Sequence, residues 1–169
     1  MSAALVEVAS LAAADAVASG DSEKINAAEQ KAADLIREFR AKYPTNLTFL
    51  QAECDQAARR GDYGRAVEIT EEIDKTAKNS SVGPLLRGRL YTAMNRPRDV
   101  AKAYSEAVER EPRRLDVRVW LGKTALKLGE VDQALQQAEY VINAKKDQMD
   151  AEALQARVLQ ARALDASGV

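Results

Sequence analysis

Residues 115–148 read LDVRVWLGKTALKLGEVDQALQQAEYVINAKKDQ. Leu121 and Gly122 lie in one amphipathic segment, Gly129 breaks it, and Ala134, Ala138 and Val141 punctuate a second. Going back 34 residues, the punctuation returns as Gly88, Asn95, Val100, Tyr104 and Ala107, and a further 34 residues back as Cys54, Gly61, Ala66, Thr70 and Ile73. Going forward, Ala156 takes the place of Gly122. Self-similarity at this period marks an array of helix–turn–helix units, each burying its faces against its neighbours. The expected fold class is therefore all-α, a right-handed α-solenoid of antiparallel helix pairs.

The chain resembles the tetratricopeptide repeat family. That family's 34-residue pattern asks for bulky residues at positions 4, 7, 11 and 24, small ones at 8, 20 and 27, and Pro at 32. Residues 47–80, 81–114 and 115–148 fit as three consecutive units. Position 8 is met by Cys54, Gly88 and Gly122, and position 20 by Ala66 and Ala134 with Val100 between them. Gly61-Asp62-Tyr63 is similar to the family's turn, Tyr91 and Tyr104 match its aromatic positions, and Pro112 its terminal Pro. Departures are Glu53 and Arg87 where Leu is usual, Pro84 and Arg118 at position 4, and Thr70 and Ala138 in place of an aromatic. Glu53 and Arg87 are expected to pair with each other or to lie at a wet edge, because an unpaired buried charge costs several kcal/mol.

The N-terminal 46 residues read as a divergent helical pair or a plain capping hairpin. Residues 3–18 carry Leu5, Val8, Ala12 and Ala16 at helical spacing. Gly20-Asp21-Ser22 suits a C′ glycine followed by an N-cap. A second helix is expected from about Glu23 to Lys42, stopped by Tyr43-Pro44. Gly61, Asn95-Arg96-Pro97 and Gly129 should separate paired helices, and residues 79–84 and 111–114 should separate units. Residues 149–165 form a capping helix, expected to bury Leu154 and Val158 and to keep Glu152, Gln155, Arg157, Gln160 and Arg162 wet.

Composition excludes several kinds of work. The chain has 169 residues, 46% apolar but only 5% aromatic, and a formal charge of −1. That balance implies no nucleic-acid or membrane partner. The chain contains no His, so the commonest general base and metal ligand is missing. Cys54 is the single thiol, read as buried and inert, and Glu53 and Asp55 beside it oppose thiolate formation. One Cys also points to a reducing, cytoplasmic setting. No Walker loop, dinucleotide fingerprint, paired-Cys spacing or EF-hand loop appears. No catalytic residue, metal ligand or cofactor is expected. The adjacent Glu71 and Glu72 diverge on a helix and read as a solvated face.

The resemblance implies a concave groove lined by the first helix of each pair. Transferred residue by residue, position 9 reads Asp55, Arg89, Lys123 and Arg157. With Lys127, these cations would attract a carboxylate-bearing peptide or partner domain, beside an apolar wall of Val82, Leu85, Val119 and Leu126. The alternative is that the basic side chains are only a solvated face, with Arg89 paired to Asp55. Family members that clamp acidic chaperone tails use a Lys/Asn/Arg set, and Gln51, Asp55, Leu86, Asp116 and Trp120 stand at those positions here, so that clamp is not expected. Residues 85–127 hold eleven Lys/Arg against five Asp/Glu, while 1–84 and 128–169 are net acidic. A basic middle between acidic ends suits an acidic partner, and equally suits one copy's middle meeting another's end. Trp120 is either buried between units or an exposed contact. The expected function is a non-catalytic protein–protein interaction scaffold; the competing reading is a structural, self-assembling repeat segment of a larger protein.

Overall fold

Three of the turns that break the helices need a left-handed backbone, and they sit at equivalent repeat positions. Gly61 and Gly129 have φ of +76° and +78°, and Asn95 between them has φ of +54°. Glycine takes this conformation without a steric penalty and Asn tolerates it better than other residues, which is why Asn can stand in for Gly here. The computed structural model describes residues 22–146 and 148–168. The helix expected over residues 3–18 and the turn at Gly20-Asp21 lie outside the described residues. The helices are α1 (Ser22–Lys42), α2 (Leu47–Arg59), α3 (Tyr63–Thr76), α4 (Val82–Ala93), α5 (Pro97–Arg110), α6 (Leu115–Lys127), α7 (Val131–Ala144) and α8 (Ala151–Ser167). Among the described residues there is no strand.

Local chemistry sets the helix starts. Asn46 accepts from the amides of Thr48 and Phe49, Asp62 from that of Arg65, and Asp150 from that of Ala153, each satisfying a donor the helix leaves free. Pro97 stands in the first turn of α5, where its missing N–H is not needed. Pro84, expected in a separator, falls instead inside the first turn of α4, which begins at Val82. The same reasoning applies there, because a first-turn residue has no intrahelical acceptor to lose.

The chain divides into two compact units, Met1–Lys78 and Asn79–Val169. In the first, α1 packs on α2 and α2 on α3. Phe39 and Phe49 stack at 5.3 Å between ring centroids, over Ile36. One side of this unit is closed by charges. Arg40 of α1 donates to Glu53 of α2 at 2.6 Å and to Glu72 of α3 at 2.7 Å, and Arg65 donates to Glu53 at 2.9 Å. Glu53 is thus paired within its own unit, and Glu72 is drawn into the network while Glu71 stays exposed. Burial raises the Glu53 carboxyl, but the Arg40 and Arg65 hydrogen bonds and charges outweigh it and hold the group below its ordinary range. Cys54 is buried, its thiol facing the Ala66 carbonyl at 3.5 Å. Burial, with the charges of Asp55 and Glu53, pushes it up to about 12, which keeps the thiol protonated at neutral pH.

The second unit stacks α4–α5 on α6–α7, with α8 closing against α7 and α6. Leu85, Val100, Tyr104, Val108, Val117 and Leu121 form one cluster across α4, α5 and α6. Ala125, Ala134, Ala138, Leu159 and Ala163 form the next, across α6, α7 and α8. Arg87 pairs with Glu106 at 2.6 Å, inside its own helix pair. The Ser81 amide donates to Glu111 at 2.8 Å and Arg110 donates to the Ser80 carbonyl at 3.0 Å, tying the start of α4 to the end of α5.

The last helix overturns one expectation. Leu154 and Val158 are not buried; they are 55% and 45% exposed. The residues of α8 that face inward are Ala153, Ala156, Leu159 and Ala163. A stripe of three alanines and a leucine lets α8 approach α7 more closely than Leu154 and Val158 would, and close approach maximises contact in a thin stack.

Candidate protein-binding face

α6 and α8 lie side by side in the second unit, and an open cleft of about 590 Å³ runs between them. Leu126, Leu154, Val158 and Leu159 give it an apolar floor, and Lys123, Lys127 and Arg162 stand around it. Lys123 and Lys127 are one helical turn apart and so share a face of α6. The Lys123 ammonium donates to Gln155 of α8 at 2.8 Å, which bridges the two helices at the exposed edge. Arg157, half-buried on α8, reaches the Met149 sulfur at 3.5 Å. Lys127 also borders a smaller cleft of about 310 Å³ with Thr92, Asn95, Arg96, Pro97, Val100 and Thr124.

The cations expected from the repeat period are placed unevenly. Lys123, Lys127 and Arg89 are exposed. Arg89 lies over the Trp120 ring, 5.8 Å from its centroid, and Trp120 in turn meets Tyr104 at 5.7 Å. Trp120 is thus half-buried packing between helix pairs with a cation on its outer side, and not a free anchor. The apolar wall differs from expectation as well. Leu126 and Val82 are half-exposed, but Leu85 is 8% and Val119 2% exposed, both committed to the packing. Val119 sits with Val141 and Ala156 beneath α8. The exposed apolar surface of the cleft is supplied by Leu154 and Val158, with Leu126.

These two residues have a clear meaning in the repeat register. Leu154, Gln155 and Val158 are the equivalents, one period on, of Trp120, Leu121 and Thr124. In α6 those positions are turned toward α4 and α5: Leu121 is in the cluster with Leu85, Val100 and Tyr104, and Trp120 packs against it. In α8 the same positions are exposed. Sequence reasoning could have found them, because α8 carries apolar residues on two sides and only one side can be buried in a stack. Among the described residues no group of His, Cys, Asp or Glu could hold a metal ion, and no helix is long and apolar enough to cross a membrane.

Comparison with known proteins agrees with this architecture. Residues 91–158 match the tetratricopeptide repeat profile. No curated protein matches the chain by sequence. Naa15/Naa10 bound to HypK-THB superposes with a TM-score of 0.67 at 16% identity, over 83% of this chain and 20% of that one. This chain thus spans about a fifth of that protein's length. A thermophilic repeat protein of Thermus thermophilus gives 0.60 at 18% identity, covering 83% of this chain and 78% of that one. The second such domain of human RPAP3, in complex with an HSP70 peptide, gives 0.56 at 16% identity, covering 68% and 92%. At these identities the likeness is one of fold.

Proposed function

Because residues 91–158 are tetratricopeptide repeats, extended on the C-terminal side by the rest of α8, we propose that this chain is a non-catalytic scaffold that binds a peptide or partner domain. The α6–α8 cleft is the binding face, and the ligand is acidic and amphipathic. One observation carries this reading: Leu154 and Val158 lie exposed in a cleft bordered by Lys123, Lys127 and Arg162. Exposed apolar side chains ringed by one sign of charge are suited to a segment that offers apolar anchors and carboxylates together. The human RPAP3 domain of similar fold was determined with a peptide bound, which supports this class of work without naming the ligand here. Arg89, Arg157 and Val82 lie outside the cleft lining; Leu85 and Val119 hold the helices of this unit together.

The test is fluorescence anisotropy with labelled acidic amphipathic peptides, using versions with Lys in place of each Asp and Glu as controls. The acidic peptides should bind and the basic ones should not. Lys123→Glu with Arg157→Glu should weaken binding at low salt, and the loss should shrink as salt rises, since exposed charges are screened over about 8–10 Å at ordinary ionic strength. Leu154→Asp should weaken it at every salt concentration. Equal binding of both peptide sets, or no effect of either variant, would rule the cleft out as the binding face.

A further inference from the structure

Two features of the cleft, taken with the chain's own sequence, point to a specific occupant. The cleft floor is apolar and its border is cationic. Residues 1–21 of this same chain contain Glu7, Asp15 and Asp21 and neither Lys nor Arg. Their apolar residues Leu5, Val8, Ala12 and Ala16 recur at helical spacing, and the small alanines would permit close approach to Leu154 and Val158.

We propose that the α6–α8 cleft of one copy receives residues 1–21 of a second copy. The inference rests on the cleft being a binding face, and it names the acidic ligand as the chain itself. Contact between two different surfaces of identical copies is heterologous, and such contacts propagate into open chains unless the rotation closes them. The association is therefore expected to grow with concentration rather than stop at a dimer. It is also expected to weaken with salt.

Sedimentation velocity on the full chain tests this, at several concentrations and two salt levels. The wild type should show a weight-average mass that rises with concentration and falls with salt. Glu7→Lys with Asp15→Lys should reduce association several-fold, and Lys123→Glu with Lys127→Glu should do the same. Joining all four substitutions should restore most of it, because the charges are exchanged and not lost. Leu154→Asp should abolish it and should not be rescued by Lys at positions 7 and 15. Circular dichroism melts check that each variant is folded. A wild type that stays monomeric throughout, or reversals whose combination recovers nothing, overturns the inference. The labelled acidic peptide added to the same samples separates the two readings. If the peptide binds a chain that does not self-associate, the inference falls and the binding face stands; if neither occurs, both fall.

Discussion

Gly88→Ala adds one methyl group and should destabilise the second unit. A Cβ built on Gly88 lies 2.2, 2.6 and 2.8 Å from Cε1, Cδ1 and Cζ of Tyr104. Carbon atoms in contact sit about 3.5–4.0 Å apart, so the ring would have to retreat by roughly 1.3 Å. It has little room to do so, since Tyr104 is buried and backed by Trp120 at 5.7 Å. Overpacking of this kind costs about 1–3 kcal/mol. Against it stands the helix preference for Ala over Gly, up to about 1 kcal/mol. The net loss of about 1–2 kcal/mol should lower the melting temperature by roughly 3–10 °C. Thermal unfolding followed by far-UV circular dichroism measures it. Gly64→Ala is the matched control, because its Cβ would find only Asp62 Oδ1, at 3.7 Å. That variant should melt at or slightly above the wild type. Adding Tyr104→Leu to Gly88→Ala should cost less than the two changes separately, as expected when one relieves the other. A Gly88→Ala protein as stable as wild type, or strictly additive effects with Tyr104→Leu, would refute the packing argument.

Gly122→Leu should destabilise by at least as much, since even a Cβ there would come within 3.2 Å of the Gln137 Cβ and 2.5 Å of Leu159 Cδ2; an unchanged melt would contradict the repeat register. The Glu53 carboxyl is held low by Arg40 and Arg65, so its contribution is fully present above the unfolded value near 4.5 and is lost as pH falls through the lower folded value. Glu53→Gln should therefore be less stable than wild type at neutral pH and show a flatter loss of stability below that point, measured as melting temperature against pH. Cys54 should resist a water-soluble thiol reagent at mildly alkaline pH until the protein is unfolded by denaturant; rapid labelling of the native chain would show that the thiol is neither buried nor raised.

Much of the architecture is legible in the sequence because its causes are local or periodic. Gly61, Asn95 and Gly129 mark turns that need a left-handed backbone, Asn46, Asp62 and Asp150 cap the helices they precede, and the recurrence of small residues at Cys54, Gly88, Gly122 and Ala156 locates the close helix contacts. A residue's conformational freedom and hydrogen-bonding capacity act over a few neighbours, so they can be read without knowing what lies across the core. Periodicity also places Arg89, Lys123 and Arg157 on successive first helices, α4, α6 and α8.

What it leaves open is which of two chemically plausible partners or faces is used. Glu53 meets Arg40 and Arg65, which the repeat pattern does not single out as its partners, because α1 and α3 bring those guanidiniums within 3 Å of it. Val119 and Leu85 look as accessible in the sequence as Leu126 does, yet their burial depends on how α8 and α5 close over them. In α8 both sides carry apolar residues, so the local pattern alone gives it no preferred face. The tertiary structure decides the matter by packing: the alanine stripe goes inward because small side chains let the helix backbone come closest to α7, and Leu154 and Val158 are left at the surface, where they form the floor of the candidate binding cleft.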